Sequence, residues 1–373
     1  MTSAIRFRFD DIRETRVRPI FKVENEEENT QLISGELKDK STGLNTYEII
    51  NYIAAFAHLA QSVLTIFADQ SANIPVEETF IDWRDAGVAG NCTGGATATI
   101  NDFALVPTRK VTHELSLKWL IVAFHGLSFV FELFATDPFF GCSRGTIFAR
   151  WRASYIKRVE SGTNYIRFVE YSASASIMLI AISLTSGIWD SYSLIGIGFL
   201  TFATMVFGGI AEQLFSDELL RMERKSGSDD TTARSTEYPI TYRLRKLGWY
   251  SHFAGWVTML AAYGIILRTF IFANMKSQRS APTFVYAIVF GIFALYNVFG
   301  IVQLVQLSGK TSPNIILPGF LGGVCEPVDL GKRSYKEWNK NIEMAYVTNS
   351  LVSKTLLGLL IYFNIIVGER TVC

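Results

Sequence analysis

Charge is what this 373-residue chain is short of. Only 18% of its residues are Asp, Glu, Lys or Arg, against about 25% in a soluble globular domain, and its mean hydropathy is +0.23. Neither sign dominates, since 35 basic and 34 acidic residues leave a net charge of +1. A nucleic-acid surface needs a basic excess, so no nucleic acid is expected as a partner. Cysteine is scarce, with four residues, which excludes a disulfide-stapled scaffold. No Walker loop, H-E-x-x-H or C-x-x-C pattern occurs, and an enzyme is not expected. Disorder over most of the chain is excluded from the opposite direction, because 13% of the residues are aromatic.

What is present is apolar and clustered. Seven stretches approach the ~20 mostly apolar residues that cross a bilayer: Thr46–Phe67, Leu117–Phe134, Tyr165–Trp189, Tyr192–Phe215, Trp249–Phe272, Pro282–Leu307 and Glu343–Val367. The pattern predicts an all-α membrane protein, a bundle of seven transmembrane helices. It comprises a polar arm (1–45), a helical domain (46–367) and a short tail (368–373). The arm is charged throughout and has no apolar signal-peptide core.

Lys and Arg set the expected orientation. The arm and the connections 138–163, 216–246 and 309–342 together hold 25, and the connections on the other side hold 6. The positive-inside rule then places the N-terminus in the cytoplasm and the C-terminus outside. The long connection 72–115 falls outside. It carries the acceptor pattern Asn91-Cys92-Thr93, so Asn91 is a glycosylation candidate. Alternation through 97–100 and 106–115 predicts a short β-hairpin in this first extracellular loop. Cys142 and Cys325 fall inside as free thiols, while Cys92 and Cys373 fall outside and are free to pair or not. No transporter-type internal repeat is found.

Ionisable groups at membrane depth are costly and therefore mark function. The candidates are His58, His125, Glu132, Arg167, Glu170, Glu212, Arg268, Glu343 and Lys354. Lys354 lies near the middle of the last span, too deep to snorkel. It must be paired, neutral or covalently consumed, and an imine with an aldehyde is a common fate of a desolvated lysine. Arg167, Glu170 and Ser174 share one face of the third span by i, i+3 and i, i+4 spacing. Glu170 matches Lys354 in depth, although pairing with Arg167 on its own helix is an alternative. Glu132, Glu212 and Glu343 either extend a proton path or sit at helix ends near water. His58 and Gln61, three residues apart, together with His125, predict a hydrated polar pocket able to take up a proton.

These residues carry a resemblance. Arg167-Phe168-Val169-Glu170-Tyr171-Ser172-Ala173-Ser174-Ala175-Ser176-Ile177-Met178 is similar to the third-helix signature of the heliorhodopsins. Ser353-Lys354, His58-x-x-Gln61, His125 and Met205-Val206-Phe207-Gly208 with Glu212 fit the same family, the inverted branch of the rhodopsin-like seven-helix retinal proteins. The resemblance implies all-trans retinal on Lys354 as a protonated Schiff base, with Glu170 as its sole counterion. It implies Ser174 and Ser353 as hydrogen-bonding neighbours, and His58, Gln61 and His125, with Arg167 alongside, as a proton cavity. Trp256, Phe290, Phe293 and Tyr296 are the aromatics expected to clasp the polyene. Ion-pumping relatives place a second carboxylate one turn before the lysine, where this chain has Ser350. A light-sensing photoreceptor without pumping is therefore expected, with two alternatives: a light-gated proton channel or passive proton transporter, and a retinal-free seven-helix receptor. The lipid bilayer and a second copy of the chain, forming a homodimer, are the expected partners.

Overall fold

A computed structural model describes residues 46–69, 72–85, 98–100, 103–135, 147–226, 231–278, 280–311 and 332–367. The arm, the tail, Asn91, the four cysteines and residues 227–230 lie outside the described residues. In chain order the elements are helix α1 (Thr46–Ile66), strands β1 (Asn73–Asp85), β2 (Ala98–Ile100) and β3 (Phe103–Ser116), and helices α2 (Leu117–Ala135), α3 (Ile147–Ser161), α4 (Tyr165–Thr185), α5 (Ser191–Ser226) and α6 (Thr231–Lys276). The short helix α7 (Thr283–Tyr286) runs through a π-helical turn (Ala287–Gly291) into α8 (Ile292–Thr311). Helix α9 (Lys332–Ile361) ends in a second π-helical turn (Tyr362–Ile366).

Among the described residues, six segments are long and apolar enough to cross a membrane: Glu48–Ile66, Tyr165–Thr185, Ser191–Ser216, Arg243–Lys276, Thr283–Ser308 and Glu337–Ile366. The chain is an integral, multi-pass membrane protein. Helix α2, with 19 residues, packs against α1 and α4. Helices α5 and α6 have 36 and 46 residues. Both outrun the ~20 residues that a bilayer needs, where hydropathy alone had ended them at Phe215 and begun them at Trp249.

Helix α4 is the central one for function. Asn164 caps its start by accepting from Arg167 N, which satisfies one of the free N–H groups of the first turn. Before it, Gly162 takes a positive φ of 72°, open to a residue without a Cβ. Ser172, Ser176, Ser183 and Ser186 donate back to carbonyls three or four residues earlier, so these hydroxyls are satisfied without water. Ser176 also reaches Gly198 O of α5 at 3.0 Å. The apolar core joins Met178, Leu179 and Ile182 of α4 to Ile121 and Phe124 of α2, Met259, Tyr263 and Ile266 of α6, Ile292 and Tyr296 of α8, and Leu357 and Ile361 of α9.

The α1–α2 connection holds more structure than two short strands. It forms a three-stranded antiparallel sheet in the order β1-β3-β2. The strand absent from the sequence reading is β1, which pairs with β3 from Asn73↔Ser116 to Asp85↔Phe103, with a register shift at Val76/Glu77. The sheet is tied to the bundle by fully buried Val76 in the main core and by Glu77 N donating to Trp189 O at 2.8 Å. A second correction concerns 138–163, read from sequence as a plain loop. Its second half is helix α3, which packs on α9 through Asn339 Nδ2 to Glu160 O at 3.0 Å and the Lys340–Glu160 ion pair at 2.8 Å.

Candidate functional site

Lys354 is 3% exposed and Glu170 7%. Lys354 Nζ lies 2.8 Å from Glu170 Oε1 and 2.5 Å from Ser128 Oγ, and Ser128 donates to the same carboxylate oxygen at 2.8 Å. Three helices thus close one triangle: α2 brings the hydroxyl, α4 the acid and α9 the amine. The Tyr171 ring lies 5.0 Å from Nζ, within cation–π range. Ser128 is a site residue that sequence reasoning missed. A serine on an apolar helix carries no signal until a partner helix gives it a neighbour.

Arg167 does not pair with Glu170. Its guanidinium binds Glu343 through Nη1 and Glu212 through Nη2, the latter at 2.5 Å. Glu343 also accepts from Asn164 Nδ2 at 2.9 Å and Tyr155 OH at 3.2 Å, and Glu212 accepts from Asn164 N at 2.6 Å. The Tyr346 ring packs 3.8 Å from the guanidinium carbon. Glu212 and Glu343 are therefore buried partners of one cation, not carboxylates at wet helix ends. Nor does Arg167 join the histidine pair. With both arms occupied, it leaves Glu170 to Lys354, which removes the alternative pairing along α4.

The histidines do meet. His58 Nδ1 and His125 Nδ1 are 2.8 Å apart, and Glu132 Oε1 is 3.6 Å from His58 Nε2. Gln61 Nε2 donates to Thr355 Oγ1 at 2.9 Å, next in chain to the lysine. A Cβ on Gly358 would stand 2.6 Å from His125 Nε2, so glycine there lets α9 approach the ring. For Glu132 the sequence left two readings open, a proton path or a helix end near water. It is buried beside His58.

The remaining expectations divide. Phe293 and Tyr296 flank Tyr263, with ring centroids 4.6 and 5.7 Å away. Trp256 packs at the edge of the same core and donates from Nε1 to His252 Nε2 at 3.0 Å. His252 Nδ1 then donates to Gln303 Oε1 at 2.9 Å, and Gln303 Nε2 to Gly208 O at 2.8 Å. That chain across α6, α8 and α5 is legible only in three dimensions. Phe290 is 48% exposed and stacks on Tyr286, outside the core that holds Phe293 and Tyr296, because the π-helical turn shifts the helix face between them. Ser353 Oγ donates to Ser350 O at 3.1 Å, and Ser174 Oγ is buried without a hydrogen-bond partner among the described residues. Neither is bonded to Lys354. Arg268 lies on the exposed face of α6.

A helical, multi-pass membrane protein with a buried amine, a single carboxylate on it and an aromatic core alongside is the class that fold and site define. The chain matches the family model Heliorhodopsin over residues 47–312, more than two thirds of its length, and it belongs to the heliorhodopsin family. No curated protein matches it. Family membership implies a retinal chromophore. The match includes Glu170 and ends before α9, so Lys354 rests on its own geometry. That geometry fits. Retinal is an aldehyde, a primary amine is the group that condenses with it, and a buried cation needs the counter-charge that Glu170 provides.

Proposed function

We propose that this chain is a light-sensing photoreceptor that holds all-trans retinal on Lys354 and signals without pumping ions. The observation that carries the reading is the buried contact of Lys354 Nζ with Glu170 Oε1 at 2.8 Å. Retinal joined to that amine supplies absorption of visible light and isomerisation of its polyene. The protein supplies the rest. Glu170 offsets the desolvation cost of a positive charge at Nζ. Ser128 Oγ accepts from Nζ and donates to Glu170, fixing the direction in which the proton on Nζ points. Displacement of Nζ from this triangle weakens the ion pair and frees its proton, and the buried histidines stand ready as bases. Ser350 in place of a second carboxylate near Lys354 supports the absence of pumping.

The same reading counts α2 as the seventh span, with the N-terminus cytoplasmic and the C-terminus extracellular. The Lys and Arg imbalance supports it, since seven crossings leave the termini on opposite sides. The test is reconstitution of the purified apoprotein with all-trans retinal. A visible band should form, bleach with hydroxylamine and be absent in Lys354→Ala. A colourless wild-type protein overturns the proposal.

A further inference from the structure

Glu132 has no role in the scheme above, yet its position demands an account. It is 5% exposed, on the α2 face that also carries Ser128. Its Oε1 faces His58 Nε2 at 3.6 Å. Its Oε2 has no hydrogen-bond partner among the described residues, and the same holds for Arg167 Nε. Glu132, Arg167, Glu170 and Glu343 all line one cavity of about 20 Å³, room for one water molecule. A buried carboxyl oxygen left empty costs free energy unless it carries or receives a proton.

Charge counting points the same way. The titratable groups facing Glu132 are His58 from α1, His125 on α2 itself, Arg167, Glu170 and Tyr171 from α4, Glu343 and Lys354 from α9, and Tyr155 from α3. Arg167 is consumed by Glu212 and Glu343. Lys354 is consumed by Glu170. Glu132 is left with a histidine, so a proton on this pair removes an otherwise uncompensated buried charge.

We infer that Glu132 is the internal proton donor of the site: with His58 it stores a second exchangeable proton and hands it to Lys354 Nζ after Nζ has lost its own. This rests on Lys354 being the chromophore amine. The proton passes from the Glu132 carboxyl through the cavity water and Glu170 to Nζ. The O–H bond at Glu132 breaks, an N–H bond forms at Nζ, and the electron pair stays on the Glu132 carboxylate. The histidine that took the proton released by Nζ gives one up to bulk water, and bulk water restores the one that Glu132 donated, so the site ends the cycle with the protons it began with.

Flash photolysis of the full chain reconstituted with all-trans retinal tests the inference. In the wild type, recovery of the visible band should be independent of pH near neutrality. In Glu132→Gln it should slow about tenfold per pH unit, because bulk protons then set the rate, and azide, a small membrane-permeant weak acid, should restore it. Glu132→Asp should keep the pH-independent recovery. A purely structural role for Glu132 predicts neither the pH dependence nor the azide rescue. Wild-type-like recovery in Glu132→Gln overturns the inference while leaving the chromophore reading intact. No band in the wild type overturns both. Should Glu132→Gln fail to fold, wild-type infrared difference spectra decide: a carboxylic C=O band must be lost and regained in the light cycle, and its absence overturns the donor role.

Discussion

Two buried charge clusters sit one turn apart on α4, and each has one cation and two carboxylates within reach. Around Arg167 both acids grip the cation, and Asn164, Tyr155 and the Tyr346 ring occupy what remains. Around Lys354 only Glu170 binds the cation, and the second acid, Glu132, turns to a histidine. The first arrangement is a staple between α4, α5 and α9. The planar fork of a guanidinium suits it, since arginine stays charged and binds two acids in fixed directions. The second has a reactive amine, a hydroxyl bridge and two titratable imidazoles, so its protons are free to move. The chain uses arginine where charge must not change and lysine where it must.

Breaking the staple should cost most. Arg167→Gln strands two buried carboxylates, and removing one partner of such a pair costs about 3–5 kcal/mol. Thermal unfolding in detergent should show the loss, and the fraction that folds should keep its band position. An undiminished melting temperature would contradict the staple. Glu170→Gln acts on the other cluster. It removes the charge that holds positive charge at the Nζ end, so the visible band should move to longer wavelength. An unshifted band would take Glu170 out of the counterion role.

Smaller changes sharpen the contrast. Gly358→Ala puts a methyl 2.6 Å from His125 Nε2. Overpacking of this kind costs about 1–3 kcal/mol, and the melting temperature should fall with a change in recovery kinetics. Ser128→Ala removes one hydroxyl that bonds both charges. Loss of a hydrogen bond to a charged group costs about 1.5–3 kcal/mol at most, and the direct Lys354–Glu170 contact that remains should keep it below that. A small band shift with near-normal melting is the expected result, read by absorption and calorimetry together.

Much of the membrane fold was legible because bilayer thickness imposes a length and a hydropathy that any sequence must show. Six of the seven expected spans correspond to helices that meet both requirements. The misses have a common cause. Helix α3 and strand β1 lie in polar connections, where no such constraint operates and tertiary contacts decide. Within the site, depth along a helix predicted that Lys354 and Glu170 could meet, since rise per residue is fixed. The same reasoning could not exclude Arg167 as the partner of Glu170, nor see that a π-helical turn sends Phe290 outward while Phe293 and Tyr296 face in.

The amino-acid order by itself determined that the chain lives in a bilayer, which residues are too polar to be there without a reason, and how deep each one lies. Which charge answers which was settled only by helix packing. Azimuth around a helix axis and the choice of neighbouring helix depend on how whole faces fit together, so Ser128 joined the lysine, Glu132 joined a histidine, and Arg167 was drawn away from Glu170 by acids 45 and 176 residues distant in the chain.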